Sequence, residues 1–112
     1  MVSQDELIEI LSACSVVCKK CAAACLSENN FEKYSICAKL NLDCAGITNL
    51  TGELSVRDSV VLDKQLDVCI DICRICAAEC EKHPEIALCK NCAEICHECQ
   101  SACESFTHHH SV

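Results

Sequence analysis

Cysteines recur three and four residues apart along this chain, and CKKCAAAC at Cys18–Cys25 returns as CRICAAEC at Cys73–Cys80. There are fifteen: Cys14, Cys18, Cys21, Cys25, Cys37, Cys44, Cys69, Cys73, Cys76, Cys80, Cys89, Cys92, Cys96, Cys99 and Cys103. Thiolates are soft ligands for soft cations, and this spacing stacks them on one face of a helix. Disulfides are the competing use. An odd count rules out complete intramolecular pairing, and sulfurs leaving one helix face in one direction are badly placed to bridge. Catalysis fits no better, because a nucleophile needs one activated thiol beside a base. With no phosphate loop or dinucleotide fingerprint either, the expectation is metal binding and not an enzyme.

Helices must position these ligands, and no strand pattern competes with the three-four rhythm. Four are expected, at about residues 4–27, 31–51, 56–82 and 84–107, with 108–112 a polar tail. The capping box Ser3-x-x-Glu6 opens the first and SENN, from Ser27 to Asn30, closes it. Thr51-Gly52 ends the second, Ser55 caps the third, and Pro84 suits the first position of the fourth. An offset of 55 residues lays Cys14, Cys18, Cys21 and Cys25 onto Cys69, Cys73, Cys76 and Cys80. An offset of 52 lays Cys37 and Cys44 onto Cys89 and Cys96. The fold class follows: all-α, a single antiparallel four-helix-bundle domain built from two duplicated α-hairpins, with a cysteine-lined core.

Extending the seams gives six layers. The first, at the end holding the loops near residues 30 and 84, is Cys25, Cys37, Cys80 and Cys89. Then come Cys21, Leu40, Cys76 and Cys92; Cys18, Cys44, Cys73 and Cys96; and Cys14, Ile47, Cys69 and Cys99. Leu11, Thr51, Leu66 and Cys103 follow, and Leu7, Leu54, Leu62 and Phe106 close the far end. Cysteine is too small to fill a bundle four to a layer, so a soft cation must occupy the middle. Zinc or a four-iron cluster with four thiolates leaves about −2 per site, which is costly to stack in a dry core. Cu(I) with one thiolate each on average leaves none, so several Cu(I) ions per chain are expected. His83 falls one layer outside the cysteines, with Glu28, Lys33 and Glu85, as a polar mouth. It serves there as a metal ligand or as a helix cap. His97 is expected on the outer face.

The formal charge of −8 argues against nucleic-acid and anionic-membrane partners. No stretch is long enough to span a bilayer and residues 1–30 lack a signal-peptide pattern. The expected location is the cytoplasm, where thiols stay reduced.

From the Cys14 ladder to CEKHPEIALCKNCAEICHECQSAC, the chain resembles the cytosolic branch of the copper storage proteins. That resemblance implies Cu(I) bound by the fifteen cysteines inside the bundle, and commonly a homotetramer. Copper ions are then the principal partner, with a copper donor or acceptor protein as another. The family often carries cysteine where Leu7, Leu11 and Leu66 stand here, and its loop is often richer in histidine than SENNFEKY. His108, His109 and His110 are a weak metal handle or a tail without function. Two other readings compete with copper storage: an iron–sulfur electron-transfer protein, and a zinc-binding or purely structural helical bundle.

Overall fold

The capping box is formed. Ser3 Oγ accepts from the Glu6 amide at 3.1 Å and Glu6 Oε1 accepts from the Ser3 amide at 3.2 Å, which starts α1 at Gln4–Leu26. The computed structural model describes residues 2–110, with 108–110 as backbone only. After α1 come a short 3-10 helix at Phe31–Tyr34, α2 at Ser35–Val56, α3 at Leu62–Cys80 and α4 at Ala87–His110. Each long helix packs on two others, α1 and α3 both lying against α2 and α4. The result is an antiparallel four-helix bundle 48 Å long and about 20 Å across. Among the described residues, no helix is long and apolar enough to cross a membrane.

Several expected boundaries are corrected. The second helix does not begin at residue 31, because FEKY winds as a 3-10 turn first. Nor does it stop at Thr51-Gly52. Thr51 Oγ1 turns back onto the Ile47 carbonyl at 2.6 Å, and a side chain at Gly52 would meet only Leu11, at 4.0 Å, so neither residue breaks the ladder. Ser55 therefore lies buried inside α2 and caps nothing. The true stop is Asp58, at φ 51°. Asp tolerates this left-handed conformation better than most residues. The Ser59 amide returns to the Leu54 carbonyl at 3.0 Å and the Asp58 amide to that of Ser55 at 3.2 Å, which is the Schellman pattern.

At the opposite end α3 stops at Cys80, and Pro84 lies in the turn before α4. The helix starts three residues later than a proline at its first position would place it. The backbone of α4 stays helical through His110, so residues 108–110 are not a non-helical tail. Their side chains lie outside the described residues, as do residues 111 and 112 entirely.

Small residues set how closely the helices of the first hairpin approach. Ser15 and Ala22 of α1 and Ala38 and Ala45 of α2 are all buried, and Ser15 Oγ donates to the Ala45 carbonyl at 2.9 Å. The end away from the Pro84 turn is aliphatic. Leu7, Leu11 and Leu66 are fully buried, with Leu54, Leu62 and Phe106 nearly so. Each such side chain contributes about 1.5–3 kcal/mol by leaving water, so this plug anchors the bundle without help from the sulfur-lined part.

Candidate metal centre

All fifteen cysteines are buried as free thiols. Their sulfurs form a column of near neighbours: Cys21–Cys89 at 3.5 Å, Cys18–Cys92 at 3.6 Å, Cys25–Cys89 and Cys37–Cys80 at 3.7 Å. Deeper, Cys96 lies 3.9 Å from each of Cys14, Cys18 and Cys44, and Cys103 lies 3.8 Å from Cys69. A soft metal about 2.3 Å from each sulfur needs edges of about 4 Å in a triangle and about 3.8 Å in a tetrahedron. The measured spacings match both.

Five groups have all their sulfurs within 4.8 Å of one another. Four are chained through shared members: Cys14, Cys18, Cys44 and Cys96; Cys18, Cys76, Cys92 and Cys96; Cys14, Cys73 and Cys99; Cys69, Cys99 and Cys103. The fifth, Cys21, Cys37, Cys80 and Cys89, shares none. Cys25 adjoins it through Cys89.

Helix α2 is turned differently from the expected layers. Its inward positions are Cys37, Asn41, Cys44, Thr48 and Thr51, whereas Leu40 and Ile47 are half-buried at the edge of the core. Asn41 is completely buried. Its Oδ1 accepts from Cys76 at 3.1 Å, Cys92 at 3.3 Å and Cys80 at 3.4 Å, and its Nδ2 donates to Cys37 Sγ at 3.7 Å. It therefore stands between the separate tetrad and the chained groups. Thr48 satisfies its hydroxyl on the Cys44 carbonyl at 2.7 Å. Leu50, further along α2, is exposed.

The expected mouth is assembled around His83, which is buried. His83 Nε2 lies 3.1 Å from Glu79 Oε2, and its ring meets that of Tyr34 edge-on with centroids 5.0 Å apart. Among the described residues its Nδ1 has no hydrogen-bond partner, and it lies 3.9 Å from Glu85 Oε2. Tyr34 Oη donates to the same Glu85 oxygen at 2.8 Å, and Lys33 Nζ approaches it to 3.4 Å. The Glu85 carboxyl is held below its ordinary range, by its own amide first and then by Tyr34. Glu28 is exposed on the loop. His97 is also exposed, 3.3 Å from Glu81, as expected of an outer-face residue.

A family model described as copper storage protein matches residues 2–108. The chain belongs to the copper storage protein family. Among relatives, the uncharacterized cysteine-rich protein YhjQ of Bacillus subtilis is 34 % identical over 101 residues, covering 90 % of this chain and 93 % of its own. A cytosolic copper storage protein of Streptomyces lividans, solved with five coppers, is 30 % identical and superposes with a TM-score of 0.89 over 93 % of this chain and 91 % of that one. The Cu(I)-bound copper storage protein BsCsp3 of Bacillus subtilis is 32 % identical, with a TM-score of 0.87 over 92 % and 96 % of the two chains.

In this copper storage protein the thiols do not share one proton affinity. Burial, then the charge of Cys37, pushes the Cys25 thiol up, and burial is also the largest cause raising Cys89. Hydrogen bonds from Cys21 and then Cys80 pull Cys37 down to about 3, and those from Cys18 and Cys21 pull Cys92 down to about 2. A buried thiolate needs a countercharge nearby. Among the described residues the core supplies hydrogen bonds and no lysine or arginine, so the cation itself must provide it.

Proposed function

We propose that this protein stores Cu(I) in the cytosol, as thiolate-bound ions along the axis of the bundle. The observation that carries the reading is that all fifteen sulfurs are buried and spaced at metal-bridging distances. The ligands are Cys14, Cys18, Cys21, Cys25, Cys37, Cys44, Cys69, Cys73, Cys76, Cys80, Cys89, Cys92, Cys96, Cys99 and Cys103. Cu(I) suits them because roughly one thiolate per ion leaves the dry core neutral. Anaerobic titration of the reduced protein with Cu(I), against a competing chelator, tests it. Saturation well above four ions per chain is expected. Uptake of none or one would end the storage reading, and visible absorbance of a brown iron–sulfur cluster in isolated protein would replace it.

The aliphatic plug at Leu7, Leu54, Leu62 and Phe106 offers no ligand and no room for a hydrated ion, so copper enters at the His83 end. There His83 relays Cu(I) from a donor protein to Cys25 and Cys89, while Glu79 and Glu85 raise the local cation concentration. His83→Ala should slow copper transfer to and from a chelator in stopped flow and leave final stoichiometry unchanged. Equal rates in the two proteins would remove His83 from the route. The outward Val16 and Ile75 suit contacts in a homotetramer, the assembly that the family resemblance implies.

A further inference from the structure

The separate tetrad differs in kind from the other groups. Cys21, Cys37, Cys80 and Cys89 come one from each helix α1 to α4, whereas the chained four-thiol groups take two sulfurs from one helix, Cys14 and Cys18 or Cys92 and Cys96. A chained group cannot dedicate four thiolates to one ion without stripping its neighbour. The tetrad can. Its known edges of 3.5, 3.7 and 4.0 Å bracket the roughly 3.8 Å edge of a tetrahedron with metal–sulfur bonds of about 2.3 Å.

Charge is the objection to a divalent ion, since four thiolates leave about −2. At this level of the bundle the surroundings ease it at two of the four sulfurs. Cys37 is the third residue of α2 and Cys89 the third of α4, so two helix N-termini, each equivalent to about +0.5, face the site. The C-termini of α1 and α3 lie at the same end and oppose them, so the gain is local, from the first-turn amides nearest Cys37 and Cys89. Asn41 Nδ2 adds a hydrogen bond to Cys37. Cys80 closes α3, whose negative end opposes its thiolate, and Cys21 is mid-helix. No chained group has two sulfurs in first turns.

We infer that Cys21, Cys37, Cys80 and Cys89 form a structural site for one divalent d10 cation, Zn(II), which ties the four helices together at the mouth when copper is scarce. Cu(I) displaces it on loading, releasing one zinc per chain. This stands apart from the storage reading, because it requires zinc binding by copper-free protein.

The test uses the reduced, metal-free chain and Zn(II) alone, followed by a metallochromic chelator. One equivalent should be retained. Co(II) in its place should show the intense charge-transfer and ligand-field bands of a tetrahedral tetrathiolate. Cys37→Ser should reduce retained zinc from one equivalent to none, while Cys44→Ser, at a chained position, keeps it. Should Cys37→Ser fail to fold, cadmium NMR of the unaltered chain decides: one resonance at a tetrathiolate shift supports the site, and several or none overturn it. No retained zinc, several equivalents, or one equivalent indifferent to Cys37→Ser each overturn it too. Copper uptake without zinc uptake sinks this site alone, and one zinc without copper uptake sinks the storage reading alone.

Discussion

Asn41→Cys should raise copper capacity by at least one ion per chain, and Leu40→Cys should leave it unchanged. The two positions are adjacent, but only Asn41 is enclosed by sulfur, touching Cys37 and Cys80 on the tetrad side and Cys76 and Cys92 on the chained side. A thiolate there replaces a hard carboxamide with a soft ligand and joins the two sets. The metal-free protein loses weak thiol hydrogen bonds, at a cost of order 1 kcal/mol. Leu40 lies half-buried at the edge of the core, where a shorter side chain leaves a shallow cavity and brings no sulfur inside. Anaerobic titration of both variants beside the unaltered protein reads the difference. A gain at residue 40 with none at 41 would mean that α2 is rotated from the orientation described here.

Acid should strip the copper. Each thiol that binds Cu(I) gives up its proton, so at each site held through one newly ionised thiol a fall of one pH unit weakens binding about tenfold. Sites sharing two such thiols lose about a hundredfold. Cys25 and Cys89, both pushed up mainly by burial, favour their protons at the mouth and should release copper early. The metal-free fold responds in the opposite direction. A thiol whose folded-state value is raised contributes stability fully below the unfolded value of about 8.5. That contribution is lost as pH climbs from there through the folded value. Chelator competition across a pH series, with urea unfolding of metal-free protein in the same buffers, separates the two. Copper retention that does not change with pH would show that the bound thiols are already ionised without metal.

The ladders of α1, α3 and α4 were legible because cysteines only three or four residues apart leave a helix one phase. On α2 the two cysteines, Cys37 and Cys44, are seven apart, and the position between them can be 40 or 41. Hydrophobicity favours Leu40 and Ile47. The structure buries Asn41 and Thr48 instead, because thiols satisfy the carboxamide and a backbone carbonyl satisfies the hydroxyl, while the aliphatic pair covers the edge of the core. A signal was present: α1 and α3 step four, three, four between cysteines, and α2 follows them rather than α4. The boundaries failed for a different reason. Thr51-Gly52 is a stop only if packing does not carry the helix past it, and Thr51 and Leu54, on either side of Gly52, are buried.

Beyond Asn41, shared vertices make the chained part of the sulfur column a percolating network. Cys14, Cys18, Cys96 and Cys99 each belong to two groups, so an ion can advance by gaining one ligand before it drops another. It never becomes a bare charge in a medium that cannot solvate one. Transport along this part of the bundle then requires no water-filled channel and no parting of the helices, only exchange between sulfurs about 4 Å apart. Such hopping is a random walk along one dimension. An ion bound deepest must retrace every step to leave, so emptying should take place in reverse order of position, the last-filled mouth sites first.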